Sequence, residues 1–240
     1  MIVGLYTGAS SMISQGDYQA VIARNLANIN TVGYKKNVAV FQSLISQPQD
    51  KDMTHGTGST LGTITTDFSQ GTLEYTGNDL DISIKGEGFF AVKADTGILY
   101  TRKGQFMLSQ DMTIITPEGW PLLGHGGEIR VPQNTKGITI KENGNISADG
   151  KGIDKIKIAA VPDLTALEPI GGCAYKLSDK VPQPKDSTDF KIAQRYLERS
   201  NVNAIDEMVN MISNMRGYQV GHKVTDSIDD TLKKLIKIAT

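Results

Sequence analysis

NAIDEMVNMISNMRGYQVGHKVTDSIDDTLKKLIKI, residues 203–238, runs without a proline and reads as one long helix. Its stripe Ile205, Met208, Met211/Ile212, Met215, Tyr218, His222, Thr225, Ile228, Leu232 and Leu235 steps mostly by three and four, the spacing of one helical face. Asn203 followed by Asp206 offers an N-cap with an acidic residue in the first turn. Lys233, Lys234 and Lys237 fall in the last turns, where the helix dipole favours cations. Such a helix would extend about 50 Å.

The other end mirrors this texture. Residues 5–28 also lack proline, and Leu5, Met12, Ile22 and Leu26 fall at helical spacing. A second seam of small residues runs Ala9, Ile13, Gly16, Ala20, Ala23, Ala27, and small side chains let another helix approach closely. The segment breaks at Asn30-Thr31-Val32-Gly33, with Gly33 expected as a left-handed C-cap.

Between the helices the texture is β. Leu80-Asp81-Ile82-Ser83-Ile84-Lys85 and Ile138-Thr139-Ile140-Lys141 alternate strictly, and turn signals recur at short intervals, with Asn143-Gly144 a strong hairpin signal. Two polar stretches, Gln47 to Thr66 and Asp179 to Asp189, read as connectors. The expected fold is α+β: N- and C-terminal helices paired as a coiled-coil-like bundle, with a central antiparallel β-rich domain. The expected segments are 1–33 (first helix), 34–70 (extended connector), 71–190 (β-rich middle) and 191–240 (second helix). Pattern alone leaves open the alternative that the terminal helices pack on their own sheet.

Composition narrows the function classes. The 240 residues carry 25 Lys+Arg against 26 Asp+Glu, so no overall field attracts nucleic acid or anionic lipid. The one cysteine, Cys173, excludes an internal disulfide framework, and three histidines far apart in sequence argue against a metal cage. No cofactor is expected. The sequence shows neither a cleavable signal pattern nor a run of apolar residues long enough for a membrane span. A cytosolic location follows, unless a dedicated export machine reads the chain without cleaving it.

Residues 21–36, VIARNLANINTVGYKK, resemble the N-terminal signature of the flagellar rod and hook protein family. The matching residues are Asn25, Leu26, Ala27, Asn28, Thr31, Gly33, Tyr34 and Lys35, while Arg24 stands where that pattern has an asparagine. GNDLDISIKGEGFFAV (Gly77–Val92), YTRKGQF (Tyr100–Phe106) and LERSNVNAIDEMVNMISNMRGY (Leu197–Tyr218) are similar to three further segments of that family, in the same order. The length and GHGGEIRV (Gly124–Val131) look closer to proximal rod members, with distal rod members the near alternative.

The resemblance implies a non-enzymatic subunit that stacks into the hollow shaft of the flagellar basal body and transmits torque across the envelope. It implies export through the flagellar type III apparatus without signal cleavage, with the terminal helices as the innermost layer. The implied partners are other copies of the chain and neighbouring rod proteins, with hook and ring proteins as further candidates.

On this reading the site is a set of interfaces. Leu5, Met12, Ile22 and Leu26 on the first helix, and Ile205, Met208, Ile212 and Met215 on the second, are the expected assembly residues, with intrachain core as the alternative for each. Asn25 and Asn28 are expected to cap or bridge backbone at the end of the first helix. Before assembly both helices lack partners for their apolar stripes, which predicts mobile termini in the monomer. The competing readings are a rod-associated wall hydrolase and a non-flagellar coiled-coil adaptor. The first would need a paired-carboxylate cleft, for which the middle region offers no convincing candidate. Asp79 and Asp81, two apart on a strand pattern, would share one face as an acid pair or metal ligand might, with a solvated strand edge as the plainer explanation. Gly56–Gly62 has the look of a dinucleotide loop but the wrong spacing, and His125-Gly126-Gly127 lacks a nucleophile elbow to serve.

Overall fold

A computed structural model describes residues 2–45, 56–178, 181–187 and 189–239; side chains at the outer ends of the two long helices, Leu5, Leu232 and Leu235 among them, lie outside the description. Helix α1 spans Ile2–Ala27 and α2 spans Ala204–Ala239. The chain divides into two units. One holds residues 1–27, 37–67 and 202–240, the other residues 28–36 and 68–201.

The first unit contains both helices and a hairpin. Strand β1 (Asn37–Ile45) pairs antiparallel with β2 (Gly56–Thr66), with register shifts after Val40 and after Leu44. Residues 37–66 fall in the expected extended connector. Instead residues 37–45 and 56–66 pair as this hairpin, and residues 46–55 lie outside the described residues. The reason is partnership: the glycine- and threonine-rich β2 finds a β-branched partner in Val38 and Val40, with Val38 opposite Thr65 and Val40 opposite Thr63. Tyr18 of α1 stands edge-on to Phe41 of β1 at 5.4 Å, and Val21, Ile22 and Asn25 are buried.

Helix α2 starts as its cap predicts: Asn203 Oδ1 accepts the Ile205 N–H at 3.0 Å, and the Glu207 N–H reaches the Asn203 carbonyl at 3.1 Å. It runs antiparallel to α1. A Cβ on Gly4 would lie 3.5 Å from Ile228 Cδ1, one on Gly8 3.0 Å from Thr225 Oγ1, and one on Gly221 3.3 Å from Met12 Cγ.

The second unit is antiparallel β structure. It contains β3 (Leu73–Tyr75), β4 (Ile82–Gly86), β5 (Phe89–Ala94) and β6 (Gly97–Thr101). A six-stranded sheet runs in the order Leu167–Gly171, Ala174–Leu177, β6, β5, Ile158–Ala160, Lys185–Asp186. Lys185–Asp186 falls in the second expected connector, of which residues 179, 180 and 188 lie outside the description.

Strand β5 carries an unbroken apolar run, Phe89–Val92, because it serves two cores. Phe90 and Val92 enter the larger core with Ile82, Ile84, Leu99, Ile114 and Ile156; Phe89 and Ala91 enter a second core with Tyr100, Leu167 and Tyr175. Both faces are therefore covered, and the alternation is between two cores instead of core and water. Strand β4 pairs with Phe190–Gln194, and β3 with Tyr196–Glu198. The Asn143-Gly144 hairpin forms as its sequence predicts, joining Ile138–Ile140 to Asn145–Ala148 with Gly144 at φ +87°.

The architecture is thus α+β, with a helix at each end and an antiparallel β-rich body. Gly33 differs from its expected role. Helix α1 already ends at Ala27, and Gly33 takes its left-handed φ of +69° within the turn beyond. A Cβ there would stand 2.5 Å from the Lys103 amide nitrogen, so conformation and space both require glycine.

Candidate assembly interface

The ten residues expected at the interface fall into different environments. Ile205, Met208, Ile212 and Met215 are all exposed, Met208 least at 50%. Val209, Val220 and Val224 add further exposed apolar surface on the same helix. On α1, Ile22 and Asn25 are each only 1% exposed, Met12 and Leu26 are half-buried, and the Leu5 side chain lies outside the described residues. Asn28 is half-buried in the second unit, where its Oδ1 accepts the Thr31 hydroxyl at 3.1 Å.

The stripe read from the sequence separates into two rows. Met211, Thr225 and Ile228 join the buried Glu207 and the half-buried Asn214, Gly217 and Gly221 in the row facing α1. Ile205, Met208, Ile212 and Met215 form the other row. With 3.6 residues per turn the rows lie on roughly opposite sides of α2. Apart from Met211 and Ile228, the row facing α1 is therefore small or polar, and the row facing away is apolar.

Asn25 bridges backbone beyond the end of its helix. Its Nδ2 donates to the Asn37 carbonyl at 2.9 Å, and its Oδ1 accepts the Asn37 N–H at 2.9 Å, as a neighbouring strand would. The same Nδ2 lies 3.4 Å from Glu207 Oε2 on α2. One side chain thus ties α1, β1 and α2 together.

In the second unit, three of the quoted segments converge on a buried ionic node. Lys35 Nζ donates to Glu198 Oε1 at 2.5 Å and to the Ser69 carbonyl at 2.7 Å. The Gly71 N–H donates to the same Oε1 at 3.0 Å, and the Gly33 N–H reaches the Glu198 carbonyl at 2.8 Å. Arg102 Nη1 lies 3.5 Å from Glu198 Oε2, and Nη2 donates to the Gly86 carbonyl at 2.9 Å. The guanidinium carbon sits 5.2 Å from the centre of the Phe89 ring.

Lys35 is 1% exposed, Glu198 0% and Arg102 6%, so all three charges have left water. Burial pushes the Arg102 pKa down, and Glu198 opposes that shift. Beside the node, the Lys36 N–H donates to Asn201 Oδ1 at 2.7 Å and Asn201 Nδ2 reaches Ser69 Oγ at 2.9 Å. Sequence reasoning quoted Lys35, Arg102 and Glu198 without a role. Each of the three segments carries more than one charged residue, and no local pattern singles out these three for burial.

The groups weighed for chemistry are engaged elsewhere. Asp79 and Asp81 precede β4 instead of lying on it. Asp79 pairs with Arg195 at 2.6 Å, while Asp81 accepts from Thr76 at 2.7 Å and Asn78 at 3.2 Å. Gly126 N donates to the Asp154 carboxylate, which fastens the His125-Gly126-Gly127 turn. Cys173 sits at φ +61° in the turn before Ala174–Leu177, and burial raises its thiol pKa, the opposite of an activated nucleophile. Among the described residues, no helix is long and apolar enough to cross a membrane.

Three regions match known families in order along the chain. Residues 5–35 match the family described as flagella basal body rod protein, residues 83–148 the flagellar hook protein FlgE/F/G D1 domain, and residues 193–238 the flagellar basal body rod FlgEFG protein C-terminal region. The flagellar basal-body rod protein FlgG of Bacillus subtilis (strain 168) is 32% identical, with 99% of each chain covered. FlgG of Buchnera aphidicola subsp. Schizaphis graminum is also 32% identical, over 99% of this chain and 100% of its own. FlgF of Caulobacter vibrioides is 29% identical over 97% of this chain and 96% of its own, so relatives of both names span it nearly end to end. The likeness holds from α1 through the β body to α2, and the chain belongs to the family of flagellar basal-body rod proteins, as a structural subunit of the rod.

Proposed function

We propose that this subunit polymerises through its terminal helices, with the outward row Ile205, Met208, Ile212 and Met215 covered by neighbouring copies or adjacent rod proteins. The observation that carries the reading is the placement of this row. It is apolar, half or more exposed, and on the side of α2 away from the row that meets α1. Covering the remaining half of each side chain would stabilise the contact by about 1 kcal/mol per residue. Methionine at two of the four positions suits contact with non-identical neighbours, because its side chain adapts its shape.

In this account α1 and α2 act together as a coiled-coil-like layer, Met12, Ile22, Leu26 and Asn25 serve chiefly to hold that layer together, and Asn28 shapes the turn that follows. The work is mechanical, the transmission of torque, and no side chain is assigned a catalytic role. Export through the flagellar type III apparatus without cleavage accords with the family.

The test is a strain whose only copy carries Ile212→Asp with Met215→Asp. The reading expects the protein at normal level, basal bodies with truncated rods in electron micrographs, and no swimming. Complete rods and normal motility would refute it.

A further inference from the structure

The row of α2 that meets α1 is an unusual helix seam. Its members are mostly polar or small: Glu207, Asn214, Gly217, Gly221 and Thr225. Apolar burial alone gives such a seam little preference between one alignment and another a heptad away. Yet the contacts follow a single unbroken register. Asn25 meets Glu207, Gln19 and Gln15 meet Asn214, Gln15 also borders Gly217, and Met12, Gly8 and Gly4 meet Gly221, Thr225 and Ile228.

Two of these contacts are directional. Asn214 Nδ2 donates to the Gln15 carbonyl at 2.8 Å and to Gln19 Oε1 at 2.9 Å. One heptad earlier, Glu207 is 1% exposed and holds the Asn25 amide, which is itself fixed by the Asn37 backbone. Sliding α2 by seven residues toward either end would take Asn214 away from both acceptors and withdraw Asn25 from the Glu207 carboxylate. Burying a polar group without its partner is costly, whereas a glycine or threonine displaced along the seam loses little.

We infer that Asn214, supported by the Glu207–Asn25 contact, is the register-determining residue of the terminal-helix pair. It fixes the height at which Ile205, Met208, Ile212 and Met215 project, and so makes the assembly surface the same on every copy. A polar asparagine in a helix seam sets alignment in this way at some expense of stability. The inference rests on the outward row being the assembly face, but the pairing itself is measurable in the free chain.

The experiment uses the full chain with Cys173→Ser and two cysteine pairs. Met12→Cys with Gly221→Cys reports the observed register, and Met12→Cys with Ile228→Cys reports a slip of one heptad. A disulfide forms only where the two Cα atoms come within about 7 Å, so each pair reads one alignment. With Asn214 present, oxidation should close only the first pair. With Asn214→Leu, the slipped pair should close about tenfold more than in the parent, the change expected from losing about 1.4 kcal/mol of hydrogen bonding. Helix content by circular dichroism should be unchanged, and Asn214→Gln should restore part of the preference.

Equal closure of both pairs in the parent would overturn the inference. So would exclusive in-register closure in Asn214→Leu, or loss of both cross-links in that variant. A strain carrying Asn214→Leu alone should build few complete rods, and normal swimming alongside slipped cross-links would overturn the link to assembly. Because the cross-links are read before assembly, their failure leaves the Ile212→Asp/Met215→Asp test untouched.

Discussion

Replacing Glu198 by glutamine removes one charge and almost no volume, which isolates the electrostatics of the buried node. The amide oxygen could still accept the Gly71 N–H that now reaches Oε1 at 3.0 Å. What disappears is the anion that faces Lys35 at 2.5 Å and Arg102 at 3.5 Å. Two cations would then share a site in which neither is more than 6% exposed. Removing one member of a buried ion pair typically costs about 3–5 kcal/mol, because the remaining charge is stranded out of water. In a chain of this size each kcal/mol moves Tm by roughly 2–4 °C, so the expected fall is on the order of 6–20 °C.

Urea melts followed by near-ultraviolet circular dichroism should show a lower midpoint with an unchanged slope, since no less surface is exposed on unfolding. Lys35→Met with Arg102→Met and Glu198→Leu should recover most of the loss, because an apolar replacement of a whole buried ion cluster is often neutral or stabilising. A Glu198→Gln protein that loses less than about 1 kcal/mol would place its energetics with exposed pairs and refute the reasoning.

Gly33→Ala should destabilise the second unit by about 1–3 kcal/mol, the usual magnitude for a side chain forced into a left-handed backbone, read as a fall in the urea midpoint. Acid should weaken the protein partly through Glu118. Burial is the largest single influence and raises its pKa, but the hydrogen bond from Lys103 Nζ at 2.5 Å, the Lys103 charge, a backbone N–H and Thr116 together outweigh it, so the folded value lies below the ordinary 4.5. A depressed carboxylate contributes stability above its unfolded pKa and loses it as pH falls through the folded one. Lys103→Met should therefore flatten the decline of Tm below pH 4.5, and an unchanged decline would count against this pair.

The two long helices were legible because proline-free stretches with apolar residues three and four apart admit few other readings, and Asn203 marks one start. Which face of α2 meets which neighbour was not legible. Steps of three and four drift around a helix of 36 residues, so Met211 and Ile212 looked interchangeable, yet one is half-buried toward α1 and the other is exposed. The β1–β2 hairpin was read as connector because glycine, serine and threonine composition resembles a linker, and its partner strand supplies what local propensity does not.

The ionic node was hidden for a different reason. Charged side chains are ordinarily solvated, and only the fold brings Lys35 to Glu198 across 163 residues. Of the two roles expected for Asn25, capping or bridging backbone, the structure has it bridge the Asn37 backbone, and that partner is a tertiary contact that spacing alone does not reveal.

The outward row of α2 is bare in the free subunit, and the proposed assembly covers it in the rod. Met208→Cys in a Cys173→Ser background, reacted with a maleimide, tests it directly, because Met208 is half exposed in the single chain. Labelling should be rapid in the purified subunit and strongly suppressed in isolated basal bodies that contain complete rods. Equal labelling in both states would contradict the proposed covering.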